Sequence, residues 1–293
     1  MWSLYSIMQY TISPRNRLEV TLRFLATGET YRSLMYQTRI HESTISRIVP
    51  EVCSAIIKHL RTNLKPPCTV DEWRNIAKDF NALWNFPHCL GALDDGSYYY
   101  NYKGEHIIVL LAMSDAHYRF IYFNLGINGR VSDGGVYQAS YLPRAIEKNE
   151  LHFPNPEALP GRNTKVPYVI VADDAFPLSK HLLSRARRII ENAFGILCNR
   201  FRVLLNPINL SAAKVEIVTL ACVALHNYLL KDVIVHPDAV AEPLPTNLTK
   251  VGIQGGNKSS LEARNIRDEF KAYFNSDQGK VDWQENSIER HNL

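Results

Sequence analysis

Apolar residues in the first 65 positions recur at helical spacing. Leu18, Leu22, Phe24 and Leu25 form one stripe, opened by Ser13-Pro14 as a capping serine before a proline and closed at Thr27-Gly28. Tyr31, Leu34 and Met35 predict a second, short helix after the turn Gly28-Glu29-Thr30. Beyond Arg39-Ile40-His41-Glu42, a third helix is expected, with Ser43 or Thr44 at its cap and Ile45, Ile48, Val49, Val52, Ile56 and Leu60 inward. Pro50 predicts a bend or a junction between two helices there. Three short helices in this order make a helix-turn-helix outline, in which the third helix would present Ser43, Thr44, Ser46 and Arg47 to DNA. Helical subdomains of the same outline also serve only to pack, so both readings stay open.

Residues 66–88 read as a Pro-rich connector with a helix over Glu72 to Leu83. Strand patterns follow. Cys89 to Leu93 is a short apolar run ending in Asp94-Asp95-Gly96, and His106 to Met113 is nearly unbroken aliphatic, as suits a strand covered on both faces. Arg119 to Ile127 is β-rich and joins it through the tight turn Asp115-Ala116-His117, predicting a hairpin. A helix is expected over Val136 to Asn149, then a polar excursion from Phe153 to Pro167, then a buried strand from Tyr168 to Ala172 that again ends in two acids, Asp173-Asp174.

From Ser184 to Phe201, Ala186, Ile189, Ile190, Ala193, Phe194, Leu197 and Phe201 recur at helical spacing. Glu191 falls about 120° from the middle of that stripe, at the edge of the buried face. A last core helix is expected from Ala212 to Lys231, and a loose tail from Val235 carries one amphipathic helix at Leu261 to Phe274. The fold class expected is α/β, a mixed sheet flanked by helices behind a helical front. The boundaries are 1–65 helical, 66–88 connector, 89–232 sheet domain and 233–293 polar tail.

Composition changes this picture little. The 293 residues are 46% hydrophobic and 21% charged, which excludes collagen, coiled coil and disorder throughout. The apolar runs fall short of a membrane span, and the opening decapeptide lacks the basic start of a signal peptide. Five scattered cysteines without a CxxC pair suit a reducing compartment, cytosol or nucleus, as buried small hydrophobes. Charge is more informative when divided along the chain: net +4 over 1–90, −3 over 91–178, +5 over 179–235 and −2 over 236–293. Carboxylates that hold a metal and cations that hold phosphate would segregate in this way, and so would solvated surface charge.

In open sheets of this kind, ligands sit at the carboxyl ends of the strands. Asp94 and Asp173 are expected at such ends, with Glu191 on the helix alongside. Three converging carboxylates repel one another unless a cation sits among them, and hard oxygen ligands select Mg²⁺ or Mn²⁺. Each acid also has a plain structural role open to it: Asp94 in a turn, Asp173 as a helix cap, Glu191 paired with Arg187. Arg185, Arg187, Arg188, Arg200 and Arg202 surround the Glu191 helix, where a phosphate backbone is the natural partner and a basic solvated helix face is the alternative. No GxSxG, Walker loop, GxGxxG or HExxH is present.

Several runs carry a resemblance. They are Leu90-Gly91-Ala92-Leu93-Asp94, Asn101-Tyr102-Lys103-Gly104, Gly129-Arg130-Val131-Ser132-Asp133-Gly134-Gly135, Ala172-Asp173-Asp174-Ala175-Phe176-Pro177-Leu178 and the stretch from Ser184 to Gly195. In order and wording they resemble the DDE domain of PIF/Harbinger transposases and their domesticated nuclease-like relatives. Leu225-His226-Asn227-Tyr228, Trp84-Asn85-Phe86-Pro87-His88-Cys89 and the front around Leu22 to Gly28 fit too, so the resemblance covers about residues 13 to 232. It implies an RNase H-like sheet and a catalytic, metal-binding triad of Asp94, Asp173 and Glu191, with Asp133 as a supporting acid and Asp95 and Asp174 as mere neighbours. It implies a divalent cation, Mg²⁺ or Mn²⁺, and cleavage of phosphodiester bonds in DNA in the nucleus. In relatives a Myb-like partner protein supplies DNA binding and nuclear import.

Two departures from the family pattern flank the triad. The family has a longer stretch between its first catalytic Asp and the Asn-Tyr-Lys-Gly segment, whereas here Asp94 is followed almost at once by Gly96 and Tyr98. The approach to the third acid is shortened to Ser179-Lys180-His181-Leu182-Leu183, with only 17 residues between Asp173 and Glu191. Metal chemistry tolerates displacement of roughly 1 Å. The rival expectation is therefore a catalytically silent DNA-binding or protein-interaction factor on the same fold.

Overall fold

A computed structural model describes residues 12–100, 107–127, 133–173, 176–184, 188–206, 208, 210–233 and 260–280. Its helices are α1 (Pro14–Thr27), α2 (Tyr31–Thr38), α3 (Glu42–His59), α4 (Val70–Trp84), α5 (Asp133–Ala139), α6 (Tyr141–Glu147), α7 (Arg188–Arg200), α8 (Ala212–Leu229) and α9 (Leu261–Phe274). Its strands are β1 (Cys89–Tyr100), β2 (Ile107–Ser114), β3 (Phe120–Ile127), β4 (Glu157–Ala158), β5 (Lys165–Val166), β6 (Val169–Ala172) and β7 (Leu182–Ser184).

The helical front follows its capping chemistry. Ser13 Oγ accepts the Asn16 N–H at 3.2 Å, and Gly28 closes α1 at φ 68° with its N–H on the Phe24 carbonyl. A Cβ on Gly28 would lie 2.9 Å from the Arg202 carbonyl oxygen, so the turn takes glycine for space as well as for φ. The cap of α3 is His41 rather than Ser43 or Thr44: its Nδ1 accepts the Ser43 N–H at 3.3 Å. Pro50 makes no junction, because α3 is continuous over 18 residues. Proline offers no N–H to the Ser46 carbonyl four residues back, and Lys214 Nζ of α8 reaches that carbonyl at 3.4 Å. α4 begins on a capping box between Thr69 and Glu72.

The main sheet has the order β3-β2-β1-β6-β7. β1, β2 and β3 are antiparallel neighbours, while β6 and β7 run parallel to β1 and to each other. This is the expected mixed, RNase H-like α/β sheet. Its two faces divide the apolar run of β2. Leu110 and Ala112 join Ala92, Phe120 and Val171 under α7, α8 and the front helices, and Val109, Leu111 and Met113 join Leu93, Ile170 and Ala172 against Trp73 of α4, Tyr137 of α5 and Leu142 of α6. Among the described residues, the front helices share one core with the sheet: Phe24, Leu25, Leu34, Ile45 and Val49 lie in one cluster with Ile190, Phe194, Val218 and Cys222. α8 is apolar and long enough to cross a membrane by composition, but it lies against α3, α7 and β3.

Five further expectations change. β1 does not end at Asp94-Asp95-Gly96 but continues to Tyr100, because its antiparallel ladder with β2 runs on through Tyr100↔Ile107. The helix expected over Val136 to Asn149 is two helices broken at Ser140, whose extended backbone (ψ 168°) starts α6 and puts Pro143 in a first turn, where no N–H is needed. The polar excursion contains the small β4–β5 hairpin. Of the helix expected from Ser184, the described part is Arg188–Arg200, and residues 182–184 instead pair with β6 as β7. Cys68 is exposed, while Cys53, Cys89, Cys198 and Cys222 are buried as expected. The tail helix α9 has the expected bounds and is docked, with Ile266, Phe270 and Tyr273 buried against Leu159, Val166, Val169 and Leu183.

Candidate active site

Strand register places the first two acids. β1 and β6 pair in parallel through Ala92↔Val171 and Leu93↔Ala172, so Asp94 and Asp173 are the next residues on two neighbouring strands, about 4.8 Å apart in a sheet. Asp94 is still inside β1 and opposite Ala112 of β2, whereas Asp173 is the first residue beyond β6, its carbonyl accepting the Phe176 N–H at 3.1 Å. Both are half-buried. One acid is thus fixed by the β2 ladder one residue past the end of the β6 pairing, and the other by a strand end and a turn.

The next strand, β7, pairs Ser184 with Ala172 and leads towards α7, which packs on β1 and β2. Glu191 lies in the first turn of α7 and is exposed rather than at the rim of the buried face, while Ile189, Ile190, Ala193 and Phe194 turn inward. Arg188 and Arg202 are exposed, the latter on the short 3₁₀ turn Arg202–Leu205. Arg185, Arg187 and Asp174 lie outside the described residues, as do the side chains of Asp95 and Asp133. Among the described residues, no group of three or more His, Cys, Asp or Glu side chains is gathered as a metal-holding cluster. Asp94 and Asp173 offer hard oxygen donors side by side, which fits Mg²⁺ or Mn²⁺, and Glu191 stands on the adjoining helix outside that pair.

On the helix-turn-helix outline, Ser43 and Arg47 face solvent, and Thr44 and Ser46 are half-buried. Ser43 Oγ is 2.8 Å from His41 Nδ1, and Ser46 Oγ donates to the Ser43 carbonyl at 2.9 Å.

Two residues quoted in the sequence without a role prove to be positioning residues. His226 Nε2 donates to the Tyr118 carbonyl at 2.8 Å, and the Asn227 side chain pairs with both backbone groups of Phe120, accepting its N–H at 2.9 Å and donating to its carbonyl at 2.8 Å. Together they clamp the β2–β3 turn to α8. Burial holds the His226 imidazole neutral, its pKa lowered to about 4, with the nearby Arg200 charge acting in the same direction. The turn is tightened from within by Asp115, which accepts the N–H groups of His117 and Arg119, both at 2.9 Å, and Arg119 Nε at 2.7 Å. A polar pair in the otherwise apolar run of α8 is the sequence signal for the clamp.

A family model described as DDE superfamily endonuclease matches residues 87–184. That match covers about a third of the chain. The match to that DDE domain begins just before β1, includes Asp94 and Asp173, and ends at Ser184, before Glu191. The chain is also distantly homologous to Protein ALP1-like of Arabidopsis thaliana, 26% identical over 187 residues, which are 59% of this chain and 45% of the relative. HARBI1 of Rattus norvegicus, a protein with nuclease in its name, is 24% identical over 241 residues, covering 75% of this chain and 68% of the relative. HARBI1 of Homo sapiens is 23% identical over 238 residues, with the same coverage of 75% and 68%. The chain thus spans less than half of the Arabidopsis relative's length. No solved structure matches it.

Proposed function

We propose that this chain is a Harbinger-type, divalent-metal-dependent DNA endonuclease, with Asp94, Asp173 and Glu191 as its catalytic and metal-holding acids. One observation carries the reading: the Leu93↔Ala172 register sets Asp94 and Asp173 side by side, inside the stretch matched by the DDE endonuclease family. A bound Mg²⁺ or Mn²⁺ supplies charge neutralisation at phosphorus and a more acidic water. The residues of the chain do the rest. The ladder with β2 holds the Asp94 backbone in place, the turn after β6 holds Asp173, and Glu191 on α7 is the acceptor for a proton of the attacking water. Arg185, Arg187, Arg188 and Arg202 lie along the DNA backbone, and Ser43, Thr44, Ser46 and Arg47 are the contacts of a helix-turn-helix, with a Myb-like protein as partner in the nucleus.

The test is nicking of supercoiled plasmid in Mg²⁺ or Mn²⁺ by wild type, Asp94→Asn, Asp173→Asn and Glu191→Gln. Wild type nicks, and each variant loses at least about a hundredfold in rate. Equal cutting by wild type and Glu191→Gln removes Glu191 from the triad. A second reading, a catalytically silent DNA-binding or protein-interaction factor, is favoured by the exposed Glu191 and by the family match stopping short of it. Retained DNA binding with no nicking at any metal concentration would establish it.

A further inference from the structure

The β2–β3 turn and the first residue of β3 bond two helices at once. Backbone groups go to α8: the Tyr118 carbonyl to His226 at 2.8 Å, and the N–H and carbonyl of Phe120 to Asn227. Side chains go to α7. Asn192 Nδ2 donates to the Tyr118 hydroxyl at 3.4 Å, and the Phe120 ring centre lies 5.5 Å from that of Phe194. Tyr118 is itself buried and held on several further sides. Its N–H donates to the Asp115 carbonyl at 3.2 Å, its ring centre is 5.9 Å from that of Trp84, and Trp84 Nε1 donates to the Ala116 carbonyl at 3.0 Å. Its backbone sits at φ 64°, a conformation that a bulky residue keeps only where its surroundings over-determine it. The phenol is therefore a fixed point against which α7 is set.

Asn192 is the residue after Glu191. At about 100° per residue the two stand on opposite flanks of the stripe that Ile190, Ala193, Phe194 and Leu197 bury, Asn192 half-buried and Glu191 exposed. Apolar contact is non-directional, so it presses α7 onto the sheet but fixes the rotation of the helix about its own axis only loosely. A hydrogen bond on one flank is directional and fixes it. A carboxylate about 5–6 Å from the helix axis moves roughly 1 Å for about 10° of rotation, and a misplacement of that size can cost about a hundredfold in rate. We infer that Tyr118 is a positioning residue for Glu191: its hydroxyl, through Asn192, sets the rotation of α7 and with it the direction of the third acid. The inference rests on the reading of Glu191 as a reacting acid.

Two measurements keep its failure apart from that of the nuclease reading. Tyr118→Phe removes the hydroxyl and keeps the ring. Amide hydrogen exchange rises several-fold at residues 192–195, the first hydrogen-bonded turn of α7, and stays as in wild type across α8. Asn192→Leu does the same, and the double variant adds nothing to either, with circular dichroism confirming that each is folded. Plasmid nicking in Mn²⁺ falls about tenfold in Tyr118→Phe, whereas in the Glu191→Gln background the same substitution changes the residual rate by no more than about twofold. An equal loss in both backgrounds would make Tyr118 a merely structural residue and overturn the proposal. Unchanged exchange in α7 would also overturn it. A wild type that does not nick removes the nuclease reading, and the exchange measurement then decides by itself whether Tyr118 sets α7: faster exchange upholds the tether and unchanged exchange removes it.

Discussion

Asn227 gives a helix the hydrogen bonds of a strand. Its amide pairs with the N–H and carbonyl of Phe120, and its second amide hydrogen goes to the Asn63 carbonyl at 2.8 Å. Asn227→Ala leaves the two buried backbone groups of Phe120 and the half-buried Asn63 carbonyl with one partner fewer and is expected to cost about 2–3 kcal/mol in urea unfolding. Asn227→Asp is expected to cost more at pH 7, because a carboxylate there faces two carbonyl oxygens with no hydrogen to offer. His226 adds a pH dependence whose sign follows from its pKa of about 4 in the folded chain against the ordinary 6.5. The folded state prefers the neutral ring, so this stability is fully present above pH 6.5 and is lost as pH falls through 4, to a total of roughly 3 kcal/mol. His226→Gln keeps a donor for the Tyr118 carbonyl and should flatten the wild-type slope between pH 6.5 and 4 in urea melts. The pair is visible in the sequence as a polar interruption. Its partners are 108 and 107 residues away along the chain, so no local pattern could name them.

Elements were legible where local chemistry decides them. Ser13-Pro14 and Gly28 bound α1, and the stripe from Leu261 to Phe274 gives α9 its limits, because caps and amphipathic faces are written within a few residues. They were illegible where a distant partner decides. β1 runs past its two acids because β2 pairs with it there, and α3 passes Pro50 unbroken because Lys214, far along the chain, serves the Ser46 carbonyl. The second case is testable. Pro50→Ala restores an N–H to Ser46 and should raise stability by about 1 kcal/mol or more. Lys214→Met should then cost less in the Pro50→Ala background than in wild type, a coupling measurable by a double-mutant cycle in urea. Additive effects would mean that the lysine does not compensate the proline.

For the whole molecule, the sheet class was legible from the alternation of apolar strands and helices, whereas the packing between distant segments was not. Among the described residues, front helices, sheet and α8 share one core, and α9 is fastened by Arg162 Nε to Glu269 at 2.8 Å as well as by Phe270. Phe270→Ala should cost about 3–5 kcal/mol in thermal or urea unfolding of the whole chain, the price of a core aromatic rather than of a loose tail.

Asp94 and Asp173 are brought together by the sheet, while Glu191 depends on how α7 is set after a shortened approach. A cation held only by the folded chain stabilises it by mass action, about 2.7 kcal/mol at a hundred times its Kd. For a chain of this size that is a rise in Tm of roughly 5–10 °C. Scanning calorimetry with Mn²⁺ should show this rise in wild type and its loss in Asp94→Asn and Asp173→Asn. Glu191→Gln then divides the possibilities. A rise like that of wild type means that two aspartates suffice to bind and that Glu191 acts, if at all, on the water, whereas loss of the rise makes it a ligand. No rise in wild type would leave the paired acids as part of a silent fold.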